Sequence, residues 1–269
     1  MEKRIIVDFD NTMGVKGCDV DDGLALLFLL GTPGVSVEAA CTLRLFGEWG
    51  LDIPVYRGAA SKDDEPGEAA RFLAQAAAEN PGELSIVATG SLTNLRHAAQ
   101  LDPAFFSNVR EIAVMGGITE SLVINGRIMD ELNFSCDPAA TLAVLSAPCP
   151  ACLPAFFRRE DFTENFGEGS WLYRTCDYWF ADMGERYVWD GFTCWDIVAA
   201  AAVARPDLLS FDAMDVTLYE RLLSVGYLEA ARAGAPSATI RIPRIDDPAL
   251  FVRESVEAWR RALGAMGLA

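Results

Sequence analysis

Arg4-Ile5-Ile6-Val7-Asp8-Phe9-Asp10-Asn11-Thr12 sets the reading of the whole chain. A β-branched apolar run closed by polar residues predicts a strand over 4–10, buried on both faces as in a parallel sheet. Asp19 and Asp21-Asp22-Gly23 come next. Leu24-Ala25-Leu26-Leu27-Phe28-Leu29-Leu30 then predicts a helix, stopped by Gly31 and Pro33. A strand, an acidic turn and a helix together open an α/β fold. In such sheets ligands bind beyond the carboxyl ends of the strands. The aspartates at this strand end are therefore the first candidates for chemistry.

The same alternation continues downstream. Strands are predicted over 35–41, 53–56, 84–89 and 109–115, with helices over 68–79, 92–100 and 139–145. A strand over 150–156, a helix over 195–204 that stops at Arg205-Pro206, a strand over 239–242 and a helix over 250–263 follow. Residues 160–187 are rich in aromatic side chains and less periodic, and are expected to form helices and active-site loops. Strands alternating with helices predict an α/β, Rossmann-like architecture: a mostly parallel central sheet with helices on both faces. No repeat, low-complexity tract or linker divides the chain, so residues 1–269 are expected to form a single domain.

Composition removes whole classes of function. The 269 residues carry 22 Lys and Arg against 39 Asp and Glu, a formal net charge of −17. Nucleic-acid affinity rests on clustered Lys and Arg, so no nucleic-acid partner is expected. The one His, His97, excludes a multi-His zinc site and any Ser-His-Asp triad not built on it. It lies mid-helix, far from any motif, and is expected to be structural or exposed. Seven Cys without regular spacing give no disulfide framework. A reducing, cytoplasmic location is therefore expected. Cys149-Pro150-Ala151-Cys152 has the spacing of a redox pair but sits in an apolar, strand-like segment instead of at a helix start. No apolar stretch approaches the ~18–20 residues that span a bilayer, so no membrane is expected either.

Asp8, Asp10, Asp19, Asp21 and Asp22 crowd one sheet edge. Such carboxylates repel one another unless a cation or protons compensate. A hard divalent cation with oxygen ligands answers that need. The plainer alternative is that Asp21 and Asp22 favour a helix N-terminus while Asp8 and Asp10 serve a turn.

Two families resemble this opening. Asp8-Phe9-Asp10-Asn11-Thr12 is similar to the first motif of haloacid-dehalogenase-like phosphatases, where the first Asp would accept a phosphoryl group and the second act as acid and base. That family also uses a downstream cation, normally Lys. Here Lys occurs only at 3, 16 and 62, all before the Ala88-Thr89-Gly90-Ser91 segment that would serve as second motif.

The second resemblance, to inosine-uridine preferring nucleoside hydrolases, runs along most of the chain. Asp8-Phe9-Asp10 with Asp21-Asp22-Gly23-Leu24-Ala25-Leu26 resembles that family's aspartate-rich start, with a short insertion between its halves. Thr89-Gly90-Ser91-Leu92-Thr93-Asn94-Leu95 is similar to its T-G-P-L-T-N-L segment, with Ser91 for Pro. Val114-Met115-Gly116-Gly117 resembles its M-G-G strand end. Asn125, Glu131-Leu132-Asn133-Phe134 and Asp137-Pro138-Ala139-Ala140 resemble its G-N…E-x-N…D-P-x-A-A stretch, and Trp195-Asp196 stands where the family usually has His-Asp.

The resemblance implies Ca²⁺-dependent hydrolysis of the N-glycosidic bond of ribonucleosides to ribose and free base, by a homodimer or homotetramer. By motif position, Asp10, Asp22 and Asp196 would be metal ligands together with the main-chain carbonyl of Thr93. Asp21 would be the general base, and Asn125, Glu131 and Asn133 would bind ribose hydroxyls. Asp8 would support the ligands from behind. Read without the family, Thr93 and Asn94 serve equally as helix-start residues, Glu131 and Asn133 as loop residues, Asp196 as a helix start and Trp195 as core.

Two departures bear on activity. The family's Asn-bearing loop after the second strand has no counterpart, because Thr42 to Gly50 runs almost directly into Leu51-Asp52-Ile53-Pro54. One lost hydrogen-bond partner in a desolvated site costs ~1–3 kcal/mol, so a weakened nucleoside- or ribose-binding member is the alternative. Trp195 in place of His removes the usual protonation of the leaving base. An aromatic side chain, Trp195 or one of Trp171, Tyr173, Trp179 and Tyr187, is expected to stack on the base instead.

Overall fold

In the computed structural model, which describes residues 2–42, 51–147 and 155–268, the opening strand stands at the centre of a parallel sheet. β1 (Lys3–Asp8) leads to α1 (Asp21–Gly31), β2 (Val35–Thr42) and β3 (Val55–Arg57). α2 (Glu68–Glu79), β4 (Leu84–Ala88), α3 (Thr93–Leu101), the short α4 (Phe105–Asn108) and β5 (Glu111–Val114) complete the sheet, in the order β3-β2-β1-β4-β5 with every neighbouring pair parallel.

Among the described residues, the second half surrounds this sheet without adding a strand to it. β6 (Leu122–Ile124) and β7 (Arg127–Met129) form a hairpin, followed by α5 (Asn133–Cys136) and α6 (Pro138–Leu145). β8 (Ala155–Arg158) pairs antiparallel with β9 (Gly191–Cys194), enclosing α7 (Arg159–Phe166) and α8 (Trp171–Tyr187). α9 (Asp196–Ala204) precedes β10 (Ser210–Thr217), which pairs antiparallel with β11 (Ser237–Arg244) around the one-turn α10 (Glu220–Leu223). α11 (Pro248–Met266) closes the chain.

The sheet is buried on both faces, as its composition predicts. Ile5 and Val7 of β1 enter the apolar cluster shared with α1, α9 and α11, whereas Ile6 enters the opposite cluster with α2, α3 and α6. β4 divides likewise, Val87 to the first and Ile86 to the second. α1 is apolar all round because it is covered all round, and only Leu30 of its residues is not fully buried. Trp259 of α11 reaches into it, its indole N–H donating to the Leu24 carbonyl at 2.9 Å. Gly31 allows the closest approach, since a Cβ there would lie 1.8 Å from the Ala258 carbonyl oxygen.

Several expectations needed correction. The strand expected over 239–242 is the middle of the longer β11, and its partner β10 lies outside the parallel sheet. Of the strand expected over 150–156, residues 150–154 lie outside the described residues, and 155–156 begin β8, which pairs with β9. The aromatic residues of 160–187 contribute chiefly to packing: Phe162 and Phe180 pack with Phe157, Phe192 and Trp259. The Cys149–Cys152 pair and residues 43–50 lie outside the described residues. Among the described residues the cysteines are free thiols, and no helix is long and apolar enough to cross a membrane.

Candidate active site

The strand order reverses between β1 and β4, and the crevice beyond that switch is where a parallel sheet presents its ligands. Backbone bonds carry the pairing one residue past the strands. Phe9 N donates to Cys41 O, Thr89 N to Asp8 O and Met115 N to Ala88 O. The side chains of Asp8, Asp10 and Thr89 are thereby gathered at one edge.

Asp8 is buried, 3% exposed. Its Oδ1 accepts from Asn94 Nδ2 at 2.8 Å, while Oδ2 has no partner. Burial pushes its carboxyl up to about 7, against the opposing pull of the Asn94 amide and with help from the charge of Asp10. Asn94 also accepts from Ala59 N at 2.9 Å, tying β1 to the chain beyond β3.

Asp21 and Asp22 open α1 and are buried, as is Asp196 at the start of α9. Burial is the main cause that raises each of these three carboxyls well above the ordinary range. Mutual repulsion adds to it. Asp21 feels Asp19 and Asp10, Asp22 feels Asp10, Asp19 and Asp21, and Asp196 feels all four. Asp10 and Asp19 keep solvent contact on the open side but are hemmed in by protein, and desolvation raises both. Thr89 Oγ1 donates to Asp22 at 2.5 Å, and the Trp195 backbone N–H bonds the Asp21 carboxyl. Asp196 Oδ1 has no partner at all. Among the described residues no Lys or Arg is paired with any of these six aspartates.

The other sequence-predicted residues fall into two groups. Asn133 belongs to the edge, its Nδ2 donating to Thr89 O at 2.7 Å and more distantly to Met115 O at 3.3 Å. Glu131 stands beside it, accepting from Gly117 N, Phe134 N and Ser135 N. Gly226, at φ 65°, packs so closely on Glu131 that a Cβ would lie 2.0 Å from Oε2. Thr93 opens α3 with its hydroxyl committed to Asp137, leaving its main-chain carbonyl for any other role. Trp195 is half-buried immediately before Asp196. Asn125 is not brought to the cluster by any contact described. It occupies the β6–β7 turn at φ 48°, with Gly126 at φ 77°, and its Nδ2 donates to the carbonyls of Tyr187 and Val188 at the end of α8. Tyr173 is buried in the core with its hydroxyl bonded by Arg159.

Sequence reasoning missed the residues that hold the cluster in place. Thr89 and Asn94 lay inside a quoted motif, but their bonds to Asp22 and Asp8 span long sequence separations. Asp137 is a buried hub, capping α6 through Ala140 N and binding Thr93 and Arg96. A separate cavity of about 1000 Å³ opens between β8, α7 and the start of α11, lined by Phe156, Arg158, Phe251 and Arg260 among others. None of the six aspartates lines it.

A family profile described as inosine-uridine preferring nucleoside hydrolase matches residues 5–251. The chain belongs to this family. A probable uridine nucleosidase 2 of Arabidopsis thaliana is 44% identical over 71 residues, 26% of this chain and 21% of that protein. A pyrimidine-specific ribonucleoside hydrolase, RihB, of Escherichia coli is 30% identical over 107 residues, 40% of this chain and 33% of that protein. The chain thus spans about a fifth and a third of the length of these two relatives. The fold matches more widely. A purine-preferring ribonucleoside hydrolase from Gardnerella vaginalis superposes with a TM-score of 0.79 at 18% identity, covering 99% of this chain and 100% of that one.

Nucleoside hydrolase membership implies a bound cation, and the donor chemistry here fits a hard one. The cluster offers carboxylate oxygens, two of them buried and unpartnered on Asp8 and Asp196, whose repulsion no basic side chain among the described residues offsets. As the side chains stand, no group of three or more His, Cys, Asp or Glu among the described residues could hold a metal ion. Thr89 and Thr12 hold Asp22 and Asp19 through hydrogen bonds that an ion would compete for.

Proposed function

We propose that this nucleoside hydrolase family member cleaves the N-glycosidic bond of ribonucleosides, releasing ribose and free base, with Ca²⁺ as cofactor. The observation that carries the reading is the set of buried, mutually repelling aspartates at the β1–β4 switch, with Asp196 Oδ1 unpartnered. Asp10, Asp22, Asp196 and the Thr93 carbonyl would hold the cation. Bound there, it supplies Lewis acidity toward water and toward the ribose diol.

The chain's own groups supply the rest. Asp21 takes a proton from the attacking water as the O–C1′ bond forms and the C1′–N bond breaks, with the bonding pair leaving on the base. Burial and like charges give its carboxyl the proton affinity a base needs, and a neighbouring cation tempers it toward the ionised form. Glu131 retains acceptor capacity beyond its three backbone donors, and Asn133 retains its side-chain carbonyl, for ribose hydroxyls. Trp195 stacks on the base and Asp8 supports the ligands from behind. Asn125 has its Nδ2 engaged with the end of α8, which leaves its side-chain carbonyl as the group for a ribose hydroxyl. Family resemblance further supports a homodimer or homotetramer, and the irregular spacing of the seven Cys supports a reducing compartment.

Incubation with inosine, uridine and adenosine, with and without EDTA, tests the reading. Ribose release abolished by EDTA is expected. Metal-dependent nucleoside binding without release would replace it with a weakened binder. Phosphate release from a phosphomonoester, lost in Asp8→Asn, would replace it with an aspartate-nucleophile phosphatase.

A further inference from the structure

The proposed chemistry gives a role to Asp8, Asp10, Asp21, Asp22 and Asp196; the one aspartate of the cluster left unassigned is Asp19. It is borne by the loop over 11–20, where this chain carries an insertion. That loop is built. Val15 N bonds Thr12 O and Cys18 N bonds Val15 O, and Met13 N bonds the side chain of buried Asn11. It is also pinned from outside by α8, since Gly14 N donates to Tyr178 Oη at 3.1 Å and Arg186 Nη2 reaches Gly17 O at 3.4 Å. Thr12 Oγ1 orients the carboxylate itself, donating to Asp19 Oδ1 at 2.7 Å.

The consequence is unfavourable as the side chains stand. The charge of Asp19 bears on Asp10, Asp21, Asp22 and Asp196 together. Of these, the 1%-exposed Asp196 keeps an oxygen with no partner. A loop anchored at several points adds negative charge beside an unpartnered buried carboxylate oxygen; a cation or protons must compensate it, and among the described residues no Lys or Arg is paired with the cluster.

We propose that Asp19 is a ligand of the cation site, contributed from the open side by the 11–20 loop in addition to Asp10, Asp22, Asp196 and the Thr93 carbonyl. This rests on the cation reading above. Ca²⁺ accepts 6–8 oxygens in flexible geometry and its affinity follows the ligand charge count, whereas Mg²⁺ demands a tighter octahedron. An added carboxylate therefore favours Ca²⁺ and trivalent ions of similar size.

Terbium luminescence on the whole chain tests the assignment without substrate. Tb³⁺ affinity, Ca²⁺ displacement, and decay in H₂O against D₂O, which counts waters on the ion, are measured for wild type, Asp19→Asn, Thr12→Val and Asp63→Asn. Asp19→Asn is expected to weaken Ca²⁺ roughly tenfold or more and to add at least one water to the bound ion. Thr12→Val, which frees the carboxylate, should weaken it less, and Asp63→Asn should match wild type. Asp19→Asn within twofold of wild type overturns the proposal. So does weakened affinity with an unchanged water count, which would make Asp19 a field effect only. Wild type that binds neither ion overturns the cation reading itself, a distinguishable result.

Discussion

Asp8→Asn isolates the energetic cost of the acidic cluster. An ordinary Asp carboxyl titrates near 3.8, and burial holds that of Asp8 at about 7. At ~1.4 kcal/mol per tenfold change in proton affinity, that gap is worth roughly 4 kcal/mol at most. Water penetration and relaxation reduce it, and about 1–3 kcal/mol is expected. The sign follows from proton binding. Between pH ~4 and ~7 the folded state holds a proton on Asp8 that the unfolded chain has released, so stability falls as pH rises through this window and stays reduced above it. The amide introduced by the substitution does not titrate, and its carbonyl still accepts from Asn94. Its N–H takes the place of the unpartnered Oδ2, a penalty independent of pH. Urea unfolding of the chelator-treated protein at pH 5 and pH 8 therefore reads one quantity, the change in the variant's stability relative to wild type between the two. Only the part of the gap above pH 5 is read, at most roughly 3 kcal/mol, so after the same reduction the variant is expected to gain about 1–2 kcal/mol on wild type from pH 5 to pH 8. A difference that is the same at both pH values within about 0.5 kcal/mol would refute the reasoning.

Three further outcomes follow from single contacts. Asp21→Asn should lower kcat by roughly 10²–10⁴-fold while Ca²⁺ binding, read by calorimetry, persists; loss of the ion instead would exchange the roles of Asp21 and Asp22. Trp195→Ala should lower kcat/KM roughly 5- to 100-fold, the range of one base–aromatic stack, and an unchanged value would remove Trp195 from the substrate. Gly31→Ala should cost about 1–3 kcal/mol in urea unfolding, because its Cβ would meet the Ala258 carbonyl. Gly264→Ala in α11, whose Cβ meets nothing within 4 Å, should be neutral or stabilising; equal losses at both would contradict the α1–α11 contact.

The parallel sheet was legible because burial on both faces writes itself as unbroken apolar runs, such as Ile5-Ile6-Val7 and Ser85-Ile86-Val87-Ala88. β6 and β7 were not, because three residues carry too little periodicity, although Asn125-Gly126 is the turn signature of a two-residue hairpin. The same Asn was read as a ribose contact by its position in a motif, and the structure gives its amide to the end of α8. β10 escaped notice because its outward residues 212, 213 and 215 are exposed and its partner lies across a long connection. Within the site, Asp10, Asp21, Asp22 and Asp196 could be named from spacing and resemblance. Thr89, Asn94 and Asp137 could not be placed, because their bonds join segments whose proximity only the folded sheet creates. Asp19 was visible as a charge, but its attachment to α8 through Gly14 and Tyr178 was not.

The central claim is that the aspartate edge hydrolyses ribonucleosides by means of a cation. The most direct measurement is the yield of free base and of ribose from inosine and uridine by EDTA-stripped protein, before and after Ca²⁺ is returned. The account predicts neither product before addition and both afterwards, in equal amounts from at least one nucleoside. Equal release by the stripped protein, or none from either nucleoside once Ca²⁺ is bound, would contradict it.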